Sequence, residues 1–489
     1  MFGWLKNIGA KQRACGLKAA AVRFIRAKFD SAQTTPDNRR HWANADYLAA
    51  DAAAGPDVRR TLRSRARYEV ANNSYARGIV LTLANDVIGT GPRLQMLTGN
   101  PEANRAVERE FAKWARAVGL AERLRTMRMA RAQDGEAFAL LVSNGSLASA
   151  VTLDLRLIEA EQVSTPDLSL TAKANAVDGI VFDASGNPLE YHVLKAHPGS
   201  DKAAAIVEYD HVPAEAMLHW FRTDRPGQSR GLPDILPALP LFAQLRRYTL
   251  AVIGAAESAA NVAIFMKTNA PAGGEAAEVE PMATMEFEPN MAVFGPEGWE
   301  PYQIKAEQPA TAYGEFKHEI LNEIARCLNM PFNVAAGNSS GYNYSSGRLD
   351  HQTYYKSIRV EQAHLEDRVL DRVLDAWLRE AVRVPGLLPL SARAFDDYPH
   401  QWFWDGHEHV DPAKEATAQE TRLANHTTTL ASEYAKQGRD WEAELRQRAK
   451  EVALMKELGL TAAAAQPKPQ PEEPDAEETD AEDAKREAA

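Results

Sequence analysis

Residues Gly337-Asn338-Ser339-Ser340-Gly341 fit G-x-S-x-G, the pattern that presents a nucleophilic serine in many hydrolases. That chemistry needs a strand entering a sharp turn and a helix leaving it directly, so that the hydroxyl stands exposed beside an oxyanion hole. Here the preceding residues read as a helix ending at Met330-Pro331, and more polar residues follow. The context argues against acyl transfer at Ser339. His400, His407 and His409, with Asp405 and Asp411, form a histidine group, but Gly406-His407-Glu408-His409 lacks the H-E-x-x-H order, and histidines two apart diverge on a helix. A polar turn is the expected reading. The carboxylate doublets Glu159/Glu161 and Asp396/Asp397 could do acid–base work, yet such pairs are common on surfaces and nothing nearby selects them. Neither G-x-x-x-x-G-K-S/T nor G-x-G-x-x-G occurs, so nucleotide chemistry on those loops has no support. Trp402 and Trp404 flank Phe403 and could stack on bases. Aromatics at alternating strand positions are expected instead to enter a core. No catalytic residue, metal ligand or cofactor site is expected.

The charge distribution separates two blocks. Residues 1–132 carry 24 Lys+Arg against 11 Asp+Glu, while the remainder carries 32 against 56. A cationic segment of this size can face nucleic-acid phosphate, pair with acidic surfaces of neighbouring subunits, or form solvated helix faces. The arginines at 59, 60, 63, 65 and 67 belong to no named nucleic-acid motif, which leaves these readings open. Cys15 and Cys327 are too far apart to suggest a disulfide framework, in keeping with a reducing cytoplasm. With 45% hydrophobic and 25% charged residues and a mean hydropathy of -0.40, the 489-residue chain reads as soluble and built from several units. Leu250 to Met266 is apolar but short, Ala-rich and interrupted by Glu257 and Asn261, so no membrane span is expected. The cationic N-terminus lacks the apolar core and cleavage site of a secretory signal; a partner-binding arm is preferred to a membrane anchor.

The elements that would position these residues follow from periodicity and punctuation. Up to about residue 132 the pattern is helical, broken at Asn72-Asn73, Gly89-Thr90-Gly91-Pro92 and Gly99-Asn100-Pro101. Strands are expected at Ala137 to Val142, Val151 to Ile158, Gly179 to Phe182 and Tyr191 to Leu194. Pro240 suits the first turn of a helix running to Met266, about 40 Å long. Two strand-like pieces, Met285 to Phe287 and Ala292 to Phe294, interrupt an irregular stretch. A second helix spans Ala310 to Leu328. After the polar loop Phe332 to Tyr344, Ser345 or Ser346 can cap a third helix to about Val384, with Leu370, Val373, Leu374, Trp377 and Leu378 on one face. Asp411-Pro412, Gly438, Asp440 and Gly459 then delimit a helical hairpin. From Gln466 the chain is acidic, lacks aromatics and is expected to be disordered. The fold class is α+β, mainly helical.

Several stretches, in order, resemble the lambda-type family of phage portal proteins over about residues 40 to 455. They are Arg65 to Gly78, Val87-Ile88-Gly89-Thr90-Gly91-Pro92, Gly135-Glu136-Ala137-Phe138, His219-Trp220-Phe221, Arg225-Pro226-Gly227-Gln228-Ser229-Arg230-Gly231, Asn343 to Arg348, and Val410 to Glu415. Ala71 and Gly347 depart from the usual pattern without affecting the resemblance. It implies a wing, stem, clip and crown, assembled as a dodecameric ring around a channel at one capsid vertex of the virion. The implied divisions are wing (41–231), stem helix (232–266), clip (267–305), second stem helix (306–330), tunnel loop (331–344), long wing helix and following segment (345–400) and crown-like hairpin (401–465); the basic arm (1–40) and the acidic tail (466–489) are not covered by the resemblance. Implied partners are further copies of the chain, double-stranded DNA in the channel, the terminase large subunit, major capsid and scaffold proteins, and head-completion or connector proteins. Assembly would occur in the cytoplasm of a bacterial host.

Three groups of site residues follow from that resemblance. Arg225, Gly227, Gln228, Arg230 and Gly231 would form the wing–stem junction. Lys267, Glu286, Phe287 and Phe294 would lie in the clip, which meets the terminase and later the connector. Asn333, Asn338, Ser339, Ser340, Tyr342, Asn343 and Tyr344 would face DNA. No Lys or Arg occurs between Pro331 and Gly347, and a conduit for a polyanion needs that restraint, because tight phosphate binding would stall translocation. Two alternatives remain at this stage: a DNA-binding protein using the basic first third, which would show salt-sensitive binding, and a serine hydrolase, in which a directed reagent would label Ser339.

Overall fold

A computed structural model describes residues 35–36, 38–165, 175–201, 208–260, 264–268, 299–303, 310–341, 344–393, 398–406 and 412–460. The expectations for the arm before residue 35, the strand-like pieces at 285–287 and 292–294, Asp396/Asp397, His407, His409 and the acidic tail lie outside the described residues.

The first helices are built as the punctuation predicts. Helices α1 (Pro56–Asn72) and α2 (Ser74–Ile88) part at Asn73, whose extended backbone stops one helix while its side-chain carbonyl accepts from the N–H groups of Tyr75 (3.0 Å) and Ala76 (3.4 Å). A strand, β1 (Arg93–Met96), precedes α3 (Pro101–Ala117) and α4 (Leu120–Asp134). An all-helical first block is therefore incorrect at 93–96. The backbone partner of β1 is β11 (His400–Phe403), antiparallel and far away in sequence, so no local pattern announced the pairing.

Strands β2 (Glu136–Ser143), β3 (Leu153–Ile158), β4 (Ala176–Val177), β5 (Ile180–Phe182), β6 (Pro188–Leu194), β7 (Tyr209–Pro213) and β8 (Met217–Phe221) make two antiparallel sheets, ordered β3-β2-β8 and β4-β5-β6-β7. The uninterrupted apolar run in β2 has a physical cause. Ala137 and Ala139 face the main core with Trp220, whereas Phe138 and Leu140 face a second core made with Ile180, Tyr191, Val193 and Met217. A strand covered on both sides loses the polar alternation of a half-exposed one.

Helix α5 (Leu239–Ala260) stops short of the expected Met266, because Ile264–Thr268 is a strand, β9, paired antiparallel with β10 (Trp299–Gln303). A β-ribbon partner outweighed the run of helix-compatible alanines. Helix α6 (Ala310–Arg326) packs beside α5, with Tyr248 against Phe316 (ring centroids 4.7 Å) and Tyr313 (5.6 Å). The expected loop at 331–344 contains a short helix, α7 (Phe332–Ala336), which Gly337 ends in the left-handed region (φ 62°). Pro331 ends α6's trailing turn and also suits a new helix start, so the expected loop is replaced by helix at 332–336. Tyr344 is the first residue of α8 (Tyr344–Leu365), so Ser345 and Ser346 lie inside the helix and do not cap it. One π turn, Glu366–Leu370, joins α8 to α9 (Asp371–Ala381). The predicted face of Leu370, Val373, Leu374, Trp377 and Leu378 is buried throughout.

The final hairpin is instead three helices, α10 (Pro412–Ala424), α11 (Leu430–Lys436) and α12 (Trp441–Glu457). His426 adopts φ 54°, and Thr429 caps α11 through Ser432 N–H (3.1 Å), so a second start signal divides the expected single helix. Trp402 is buried among Phe111 and its neighbours and donates its indole N–H to Asp371 (2.9 Å), and Trp404 packs against the same core. Both belong to the interior, as the alternation indicates.

Gly135 (φ 91°) and Gly231 meet back to back: a Cβ on Gly231 would overlap the Gly135 carbonyl, and one on Gly135 would overlap the backbone of Leu232. Neither clash can be relieved by a rotamer change. Gly231→Ala should therefore destabilise the chain by more than about 3 kcal/mol. Gly186→Ala, at φ 86° in open space, should cost roughly 1–2 kcal/mol. Urea unfolding midpoints of the two variants check the order.

Candidate functional site

The turn at 222–231 holds together through its own polar groups. Gln228 accepts from the N–H groups of Asp224 (2.8 Å) and Arg225 (3.2 Å) and donates to the Arg230 carbonyl (2.9 Å). Gly227 supplies the left-handed residue the turn needs (φ 76°). Arg225 donates to the Leu48 carbonyl (2.9 Å), and Ser229 donates through N–H (2.7 Å) and hydroxyl (2.8 Å) to Asp51. The turn thus anchors the segment before α1.

Arg230 is fully buried and makes the densest polar contacts described. Its guanidinium spans both oxygens of Glu136 (2.7–3.0 Å) and also donates to Asp178 and to the carbonyls of Ala160 (3.2 Å) and Val163 (3.0 Å). Glu136 further receives Arg63, His219 Nε2 (3.0 Å) and the Gly231 N–H (3.2 Å). Arg59 reaches Asp178 and the Ala54 carbonyl; Arg67 binds Asp134 (2.6 Å), Glu161 (2.9 Å) and Glu159 (3.4 Å). A neighbouring cluster places Arg128 against Asp234 (2.9 Å) and Glu361 (2.9 Å), Arg131 against Glu361 (2.8 Å) and Arg222 against Asp234 (2.9 Å). Glu361 belongs to α8, so this second cluster ties the first half of the chain to the long helix.

Three of the five arginines between 59 and 67 therefore point inward. Arg60 and Arg65 are exposed. Within the basic first third, Arg59, Arg63, Arg67, Arg128 and Arg131 act as internal counter-charge, a use that the composition did not indicate. Its signal was present as the i, i+4 spacing of Arg59, Arg63 and Arg67, which one helix face presents together. Glu136, alone among apolar residues after a glycine, was the other clue. Glu159 and Glu161 are partners of Arg67 and His197 rather than a catalytic pair.

The segment after α6 gives a different surface. Asn338, Ser339, Ser340 and Gly341 are exposed, and Asn338 accepts from the Ser340 N–H (2.9 Å) in a local turn. Asn333 is half-buried in α7 and donates its amide to His351 of α8 (3.0 Å). A helix, not a strand, enters the G-x-S-x-G pattern, so the nucleophile-elbow geometry is missing at Ser339. Tyr342 and Asn343 lie outside the described residues. Of the expected clip group, Lys267 sits in β9 opposite Glu300, and Glu286, Phe287 and Phe294 lie outside the described residues.

Electrostatics of the junction set a pH dependence. Burial would raise the Glu136 carboxyl, but Arg230, the His219 hydrogen bond and Arg63 outweigh it and hold the group well below its ordinary 4.5. Asp234 is likewise lowered: burial opposes, and Arg128, Arg131 and Arg222 prevail. A depressed carboxyl contributes stability above its unfolded value and loses it as pH falls towards the folded one. Burial lowers His219 beneath 6.5, so it also loses stability when acid forces a proton onto it. Unfolding midpoints should fall below pH 6.5 and more steeply below pH 4.5. Glu136→Gln should lower the midpoint at pH 7 and flatten that acid slope. Arg230→Met should cost about 3–5 kcal/mol at pH 7, since it leaves a buried carboxylate short of its main partner.

The sequence model for the phage portal protein, lambda family, matches residues 36–362. A "Probable portal protein" of Halomonas phage phiHAP-1 is 27% identical over 429 residues, covering 82% of this chain and 81% of the relative. Among solved structures, the neck of an empty gene transfer agent (GTA) particle, computed with C6 symmetry, aligns at TM-score 0.46 and 13% identity, over 79% of this chain and 94% of that one. The virion of a native GTA particle aligns at TM-score 0.41 and 13% identity, over 83% and 99%. The family match spans well over half of the sequence and includes the Gly135-Glu136 and Arg230-Gly231 pairs that meet in the buried cluster: the chain belongs to the lambda family of phage portal proteins.

Proposed function

We propose that copies of this chain form a dodecameric ring at one capsid vertex, through which the genome is packaged and later ejected, and that the chain acts as a passive conduit rather than an enzyme. The observation that carries the oligomeric reading is the apolar surface of the long helix pair. The first turns of α5 are buried at Phe242 and Leu245, but Leu250 and Ile253 further along are exposed, as is Phe316 on α6. Apolar residues continuing a buried stripe into solvent mark a contact with another protein surface, and in a ring that surface is the next copy.

In this reading α5 and α6 are the stem, and the β9–β10 ribbon with the segment between is the clip that meets the terminase large subunit and afterwards head-completion proteins. Residues up to 231 with α8 and α9 form the wing, facing the major capsid and scaffold proteins, and α10–α12 the crown. The 222–231 turn is the wing–stem junction. The exposed Asn338, Ser339 and Ser340, with Tyr342, Asn343 and Tyr344, line the channel; Asn333 supports the loop from behind. Assembly takes place in the host cytoplasm and the product resides in the virion. A DNA-binding role for the basic first third loses support, because Arg59, Arg63, Arg67, Arg128 and Arg131 already have carboxylate partners.

Negative-stain microscopy of the purified chain should show rings with a central hole without added DNA; monomers alone would overturn the proposal. Paired Asn338→Lys and Ser339→Lys substitutions should leave rings intact and reduce packaged genome per particle. Unchanged genome content would remove the loop from the channel wall.

A further inference from the structure

Strands β6 and β7 lie side by side, with His192 directly opposite His211 in the antiparallel register. Tyr191 and Val193 point into the second core, so Glu190 and His192, which alternate with them, share the opposite face. His211 joins them across the strand pair. Glu190 Oε1 accepts from His192 Nε2 (3.0 Å) and from His211 Nδ1, and the two imidazole rings stand 4.7 Å apart at 74°. One donor atom from each of the three residues lies within 4.8 Å of the others.

We infer that Glu190, His192 and His211 bind a divalent transition-metal ion of the Zn2+ class, with water completing the coordination. Two imidazoles and a carboxylate are a donor set such ions favour. Tetrahedral coordination at about 2.0–2.2 Å places donors about 3.3 Å apart, and the three donor atoms here lie within 4.8 Å of one another. The ion replaces the protons now held between Glu190 and the two rings. His192 is buried and His211 exposed, so the ligands stand on a fixed strand pair while the remaining coordination position opens to solvent.

A second group, Glu159, Glu161 and His197, offers a similar donor set but behaves differently. Arg67 already sits against both of its carboxylates, at 2.9 and 3.4 Å, and that guanidinium supplies the positive charge an ion would bring. Among the described residues no Lys or Arg pairs with Glu190. The difference in counter-charge selects one cluster over the other.

The test uses the full-length chain without an affinity tag, dialysed against Zn2+ and, separately, Co2+. Elemental analysis should find one Zn2+ per chain, and Co2+ should give visible absorption of the strength expected for four or five ligands. His211→Ala, at an exposed position where folding is not at stake, should weaken Zn2+ binding at least tenfold and abolish the Co2+ spectrum, while His197→Ala changes neither. Zn2+ binding equal in the natural chain and His211→Ala would overturn the assignment, as would loss of binding in His197→Ala alone.

Discussion

Glu136 carries its carboxylate where no water reaches, at the start of a strand covered on both faces. A lone buried carboxylate is untenable at that position, so the chain must bring positive charge to it. Arg63 comes from α1, Arg230 from the turn before α5, and the His219 ring from β8. Each arrives with a piece of chain distant in sequence. The arrangement of α1, the central sheet and the 222–231 turn is thus set by the need to neutralise one group. Gly135 and Gly231, flanking the ion pair, let the two backbones approach closely enough for Arg230 to span both carboxylate oxygens.

Such a cluster is not a large source of net stability, since desolvating the ions offsets much of their attraction. Its value lies in selectivity. An apolar core of the same volume tolerates many packings, whereas the directional contacts of Glu136 with Arg63, His219 and Arg230 are met in one arrangement. The second cluster extends the same logic to α8 through Glu361. Together they link the α+β body to the long helix and to the root of α5.

The loop after α6 is the opposite kind of surface. The junction concentrates charge where water is excluded, while Asn338, Ser339 and Ser340 offer small neutral groups in the open.

Local signals were legible in the amino-acid sequence wherever the physics was local. The break at Asn72-Asn73, the strand at 137–142 and the shared face of Leu370, Val373, Leu374, Trp377 and Leu378 were readable from residues within a few positions of one another. The ordered motifs also identified the family. Tertiary structure alone decided the rest. It paired β1 with β11 and ended α5 early in favour of the β9–β10 ribbon, whereas α7 and the break at His426 have local start signals in Pro331 and Thr429. Above all, it turned Arg59, Arg63 and Arg67 inward. The i, i+4 spacing of these arginines placed them on one helix face but could not place that face inside, because the cost of burying a charge depends on which carboxylate the fold delivers to it, and Asp134, Glu136 and Asp178 come from the end of α4, the start of β2 and the turn before β5.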